Sequence, residues 1–137
     1  WNHLSQSQSY KSWSGYAFES VCIKHLRQIK RALGISGIRS NSYSFFKKGN
    51  QEEKGAQIDL VLDRADQVIN VFEIKFSNRV FSIDKAYFEN LSNKIEVFQR
   101  STKTRKQIFL VFINPFGLVE NNYSSIVSST LGLEDIF

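Results

Sequence analysis

Two segments rich in β-branched and aromatic residues, AQIDLVLDR and VINVFEIKF, flank a short polar stretch at Asp63–Gln67. Their composition and the turn between them predict two strands, 56–63 and 68–77, paired as an antiparallel hairpin. Three charged residues interrupt the apolar pattern: Asp59 in the first strand, Glu73 and Lys75 in the second. A hairpin centred on Asp66 sets Asp59 opposite Glu73 and Gln57 opposite Lys75. Alternation then projects all four from one sheet face. Charges inside strands of this kind cost stability unless they are paired or functional. Facing carboxylates, with Cβ atoms roughly 5 Å apart, repel each other and suit a divalent cation between them. Oxygen ligands of this type are those magnesium takes. The alternative is a structural salt bridge, Glu73–Lys75 or Asp59–Lys75.

The rest of the chain supplies partners for this hairpin. SGYAFESVCIKHLRQIKRALG predicts a helix over 14–33, capped by Ser14 and ended by Gly34. Phe18, Cys22, Leu26, Ile29 and Leu33 form its apolar stripe. Residues 38–46 read as a strand. Its Tyr43, Phe45 and Phe46 can stack on bases, with core packing expected for at least two of the three. A helix opened by Ser82 or Asp84 runs to Arg100, with Ile83, Tyr87, Leu91, Ile95 and Phe98 inward. The apolar run QIFLVFI at 107–113 suits a strand buried on both faces, stopped by Asn114, Pro115 and Gly117. IVSST and LEDIF predict a last strand and a short terminal helix. The order is α-β-β-β-α-β and a further β, an α/β fold with a mixed central sheet flanked by helices.

At 137 residues the chain has the length of one domain. Residues 1–13, polar and rich in serine and glutamine, read as a linker or the remnant of a preceding domain, leaving 14–137 as the folded unit. A start at Trp1 and the absence of methionine suggest a piece of something larger. The single cysteine, Cys22, excludes an internal disulfide and a paired-cysteine zinc site, and fits a reduced, cytoplasmic setting. No run approaches the roughly 20 apolar residues of a membrane helix. The net charge is +5, with eight basic and three acidic residues between 75 and 106. That basic middle is compatible with a polyanion partner.

The elements and Asp59, Glu73-Ile74-Lys75 and Glu19 resemble the PD-(D/E)XK nuclease superfamily, whose restriction-endonuclease-like core is a helix, a β-meander bearing the motif, a helix and another strand. The proline of the superfamily name is absent, and Ile58 precedes Asp59. KSWSGYAFESVCIKH, GAQIDLVLDRADQVINVFEIKFS, the Ile83–Tyr87 entry to the next helix and the LEDIF end further resemble the C-terminal domain of bacterial AAA-type ATPases. This resemblance implies that Asp59, Glu73 and the Ile74 carbonyl bind Mg2+ or Mn2+, with Glu19 joining directly or through water. It implies that Lys75 orients the attacking water and that Gln57 contacts the phosphate or the lysine. Lys94, on the inward helix face, either snorkels or reaches a phosphate, and Lys85 is a further candidate nucleic-acid contact. The implied partners are nucleic acid, DNA before RNA, and a P-loop ATPase domain outside these residues, since no GxxxxGK[ST] occurs. A homodimer would add phosphate contacts. A catalytically silent nuclease fold, docking nucleic acid or regulating an attached ATPase, is the competing expectation.

Overall fold

The computed structural model describes residues 2–137, with side chains from Trp13 onward. Two helices, α1 (Asn2–Lys24) and α2 (Leu26–Ala32), precede three strands, β1 (Ser40–Lys47), β2 (Ala56–Arg64) and β3 (Val68–Ile74). Helix α3 (Lys85–Thr102) crosses to β4 (Gln107–Ile113). A 3-10 turn (Ser124–Ile126), β5 (Ser129–Leu131) and α4 (Leu133–Ile136) complete the chain. The strands lie in sequence order in one five-stranded sheet. β1, β2 and β3 form an antiparallel meander, while β4 and β5 run parallel to β3. The fold is therefore α/β with a mixed sheet flanked by helices, as the element order predicts. Among the described residues no helix is long and apolar enough to cross a membrane.

Each sheet face buries its own apolar set. Leu60, Leu62, Phe72, Val111 and Ile113 pack under Phe18, Cys22, Ile29 and Ile136 of α1, α2 and α4. Ile58, Val61, Ile69, Val71 and Leu110 pack under Leu91 and Phe98 of α3. Burying each such large side chain contributes about 1.5–3 kcal/mol, so both faces need their helical cover. The α3 stripe behaves as its spacing requires: Ile83, Leu91 and Phe98 are fully buried, and Asp84 caps the helix by accepting from Tyr87 N–H at 2.8 Å.

Three expectations change. The first helix is helical across 2–24, so Ser14 lies buried inside α1 and does not cap it. The expected single helix 14–33 breaks at His25, whose Nδ1 takes up the Val21 carbonyl at 2.7 Å and whose ring packs on Phe137. Side-chain competition for a backbone carbonyl is a known source of helix interruption. Of the three β1 aromatics only Phe45 packs inward, edge-on to Phe98. Tyr43 and Phe46 stay exposed because β1 is an edge strand, beyond most of the α3 cover.

Candidate active site

The hairpin register is the one the turn predicts. Leu60 pairs with Phe72, Val61 with Val71, Leu62 with Asn70 and Asp63 with Ile69. This ladder ends one step before Asp59 and Glu73, and the strand ends open there. On its other side, β2 carries a bulge. Tyr43 pairs with Val61 and Phe45 with Ile58, so Asp59 and Leu60 together oppose Ser44. The extra residue explains why Ile58 and Val61, three apart, pack in the same cluster. Gln57 precedes the bulge and lines the same groove as Asp59, Glu73 and Lys75. Gln57 pairs with Phe46 on the β1 side, the β3 ladder does not reach it, and its Nε2 donates to Asp59 Oδ1 at 3.1 Å.

Asp59, Glu73, Ile74 and Lys75 line a groove of about 560 Å3, joined by Glu19 from α1 and Lys94 from α3. A second stretch of about 610 Å3 continues past Glu19, Ile74 and Lys75 towards Arg79. The open ends of β2 and β3 thus lie between helices from both layers. Phe18 and Cys22, anchored in the core, fix the turn of α1 that presents Glu19. Exposed Lys85, at the start of α3, is not among the residues lining either stretch.

Glu19 hydrogen-bonds Asp59, and its carboxyl is raised from 4.5 to about 7. Burial is the largest cause, followed by the bond to Asp59 and the charges of Asp59 and Glu73. The folded protein therefore holds a proton that the unfolded chain has released. This contribution to stability is complete below pH 4.5 and is lost as the pH rises through about 7. Melting temperatures measured from pH 5 to 8 should fall less steeply for Glu19→Gln than for the wild type. Equal slopes would remove Glu19 as the titrating group. Burial likewise pushes the pKa of the core thiol Cys22, one turn further along α1, up to about 12 and leaves it inert.

Glu73 is held at both oxygens. Lys94 Nζ lies 2.8 Å from Oε1, and the Tyr87 hydroxyl donates to Oε2. Burial and the Glu73 charge push the Tyr87 pKa upward, so the phenol stays a donor. Lys75 forms neither expected salt bridge. Its Nζ lies over the Phe81 ring, 5.9 Å from the centroid, and Phe81 stacks on Phe112. Its backbone is fixed more firmly: N–H donates to Ile113 O at 2.9 Å, and C=O accepts from Asn114 Nδ2 at 2.8 Å.

The sequence reading missed three of these residues in their actual roles. Tyr87 fits a core stripe, Lys94 fits a free cation and Asn114 fits a strand stop. Asn114 is fully buried and also bonds Ser77 Oγ and Phe116 N–H, each at 2.8 Å. A polar residue directly after a buried run was the available signal for Asn114. Nothing in the local pattern distinguishes Lys94 from Lys75 as the partner of Glu73.

Among the described residues, no group of three or more His, Cys, Asp or Glu side chains is set to hold a metal ion as it stands. The donor chemistry nevertheless fits a hard divalent cation. All the candidate ligands are oxygens, and their crowding is relieved by a proton on Glu19 and by the Lys94 ammonium.

No protein-family model and no curated protein matches the sequence. A crystal structure of a protein of unknown function, AF1548, is similar at a TM-score of 0.55 and 16% sequence identity. The match covers 85% of this chain and 64% of that one, and at this identity it is a likeness of fold alone.

Proposed function

We propose that this domain is a metal-dependent phosphodiesterase of the PD-(D/E)XK type acting on nucleic acid, DNA before RNA. The observation that carries the reading is the meeting of Glu19, Asp59, Glu73 and Lys75, from one helix and two strands, in one open groove. Asp59, Glu73 and the Ile74 carbonyl would hold Mg2+ or Mn2+, with Glu19 completing the set. The cation, when bound, supplies polarisation of a phosphoryl oxygen. Lys75, free of any carboxylate, orients water and steadies charge developing on the phosphate. The groove also carries Lys54, held by Asn90, and Arg79 for backbone contacts. The setting proposed is cytoplasmic, with the domain closing a larger P-loop ATPase, and with a second copy or the ATPase supplying further phosphate contacts.

A specific observation favours a second reading. With both Glu73 oxygens taken by Lys94 and Tyr87, the same groove can dock nucleic acid without cutting it, or serve as a regulatory platform for the ATPase. Incubation of plasmid, linear duplex and single strands with Mg2+ or Mn2+ separates the two. Nicking or cutting supports the enzyme. Binding without cleavage of any substrate under either metal transfers the assignment to the docking module.

The metal step has its own test. A cation at ten times its dissociation constant contributes about 1.4 kcal/mol, a melting shift of roughly 3–8 °C. Asp59→Asn should raise the metal-free melting temperature at pH 8 and remove the shift. No response to millimolar manganese, either in the wild type or in a variant without the Lys94 charge beside Glu73, would overturn the cation site.

A further inference from the structure

Lys94 is the groove lysine whose partner is an acid of the motif itself. Its Nζ lies 2.8 Å from Glu73 Oε1, with side chains 31% and 15% exposed. Among the described residues Lys75 has no carboxylate partner, and Lys54 is held by Asn90. The Lys94 backbone is fixed by its position on α3, between buried Leu91 and Phe98. Only its flexible four-carbon stem brings the ammonium to Glu73. Tyr87, two turns earlier on α3, takes the other oxygen. One helix therefore supplies both groups that satisfy Glu73 without a metal.

We propose that Lys94 is the built-in counter-ion of this site. A divalent cation has to displace it from Glu73, and the displaced ammonium remains in the groove as an unpaired charge facing the substrate phosphate. The proposal rests on the cation-dependent reading above and adds its regulation. A point charge in a half-buried groove gains from an anionic partner, so cation and phosphate each favour the other's binding, as linkage requires. The site would then load metal and nucleic acid together and stay neutralised when neither is present. A purely structural Lys94 makes the opposite demand. It holds Glu73 in place, so its removal would disorder a ligand and weaken the cation.

The two roles differ in sign in a calorimetric titration of Mn2+ against the wild type, Lys94→Met and Lys94→Arg. Removing the competing charge should tighten Mn2+ binding on the order of tenfold, while Lys94→Arg, which keeps a cation beside Glu73, stays at wild-type affinity or below. Lys94→Gln retains a donor for Glu73 without the charge and carries the same expectation if the methionine variant fails to fold. Manganese binding by the wild type that Lys94→Met and Lys94→Gln leave unchanged or weaken overturns the counter-ion role alone. Binding by neither the wild type nor any variant overturns the cation reading and this inference with it. Binding by the uncharged variants only would support the counter-ion role in its strongest form.

Discussion

Lys75→Ala is expected to lower metal-dependent phosphodiester cleavage by about 100- to 1,000-fold while leaving the melting temperature within roughly 2–4 °C of the wild type. The two halves of this expectation come from different contacts. Among the described residues the ammonium has no ion-paired carboxylate, and its contact is the face of Phe81, 5.9 Å away. Such a contact is worth about 0.5–1 kcal/mol at a partly exposed site. The backbone bonds to Ile113 and Asn114 do not involve the side chain and survive the substitution. Stability therefore changes little, whereas in the proposed phosphodiesterase the ammonium that steadies charge on the phosphate has no substitute. Plasmid cleavage and a thermal melt on the same preparation check both. Cleavage retained within threefold would remove Lys75 from the chemistry, and a collapse of the fold would show it to be structural.

Asn114→Ala should have the largest effect on stability, about 2–4 kcal/mol, a fall in melting temperature of roughly 10 °C. The fully buried amide ties the chain leaving β3 to the turn after β4: it donates to the Lys75 carbonyl and Ser77 Oγ and accepts from the Phe116 N–H. Alanine leaves these groups without the bonds, and a buried polar group without a partner costs more than the bond itself contributed. Asn114→Asp should be no better. Its oxygens still accept from Phe116, but one of them replaces the donor to the Lys75 carbonyl. A thermal or urea melt of both variants measures the cost, and a shift under 2 °C would mean that the clip can be replaced. If the variant stays folded at low temperature, its cleavage should also fall, because Asn114 fixes the chain where Lys75 leaves the sheet.

Legibility in the sequence followed the range of the interaction. The α3 stripe from Ile83 to Phe98 was legible because it repeats within one helix. So was the hairpin register that brings Asp59 near Glu73, because a short turn sets it. The bulge at Asp59–Leu60 was not, since it depends on how β1 pairs with the far side of β2. The break at His25 was hidden too, because a histidine side chain competing for the Val21 carbonyl looks like any other helical residue in a stripe.

The sequence by itself determined the kinds of element, their order and the acids that gather at the hairpin's open end. Periodicities of two and 3.6 are properties of single elements and need no partner. The tertiary structure alone decided which lysine neutralises Glu73 and what anchors Lys75. Lys75 is two residues from Glu73 and Lys94 is twenty-one, yet packing α3 across the sheet brings the distant ammonium to 2.8 Å. Parallel pairing of β3 with β4 places Asn114 beside the Lys75 carbonyl in the same way. Charge partners and buried amides are chosen by distance through space between layers. A one-dimensional pattern carries the charges and the amide but not those distances.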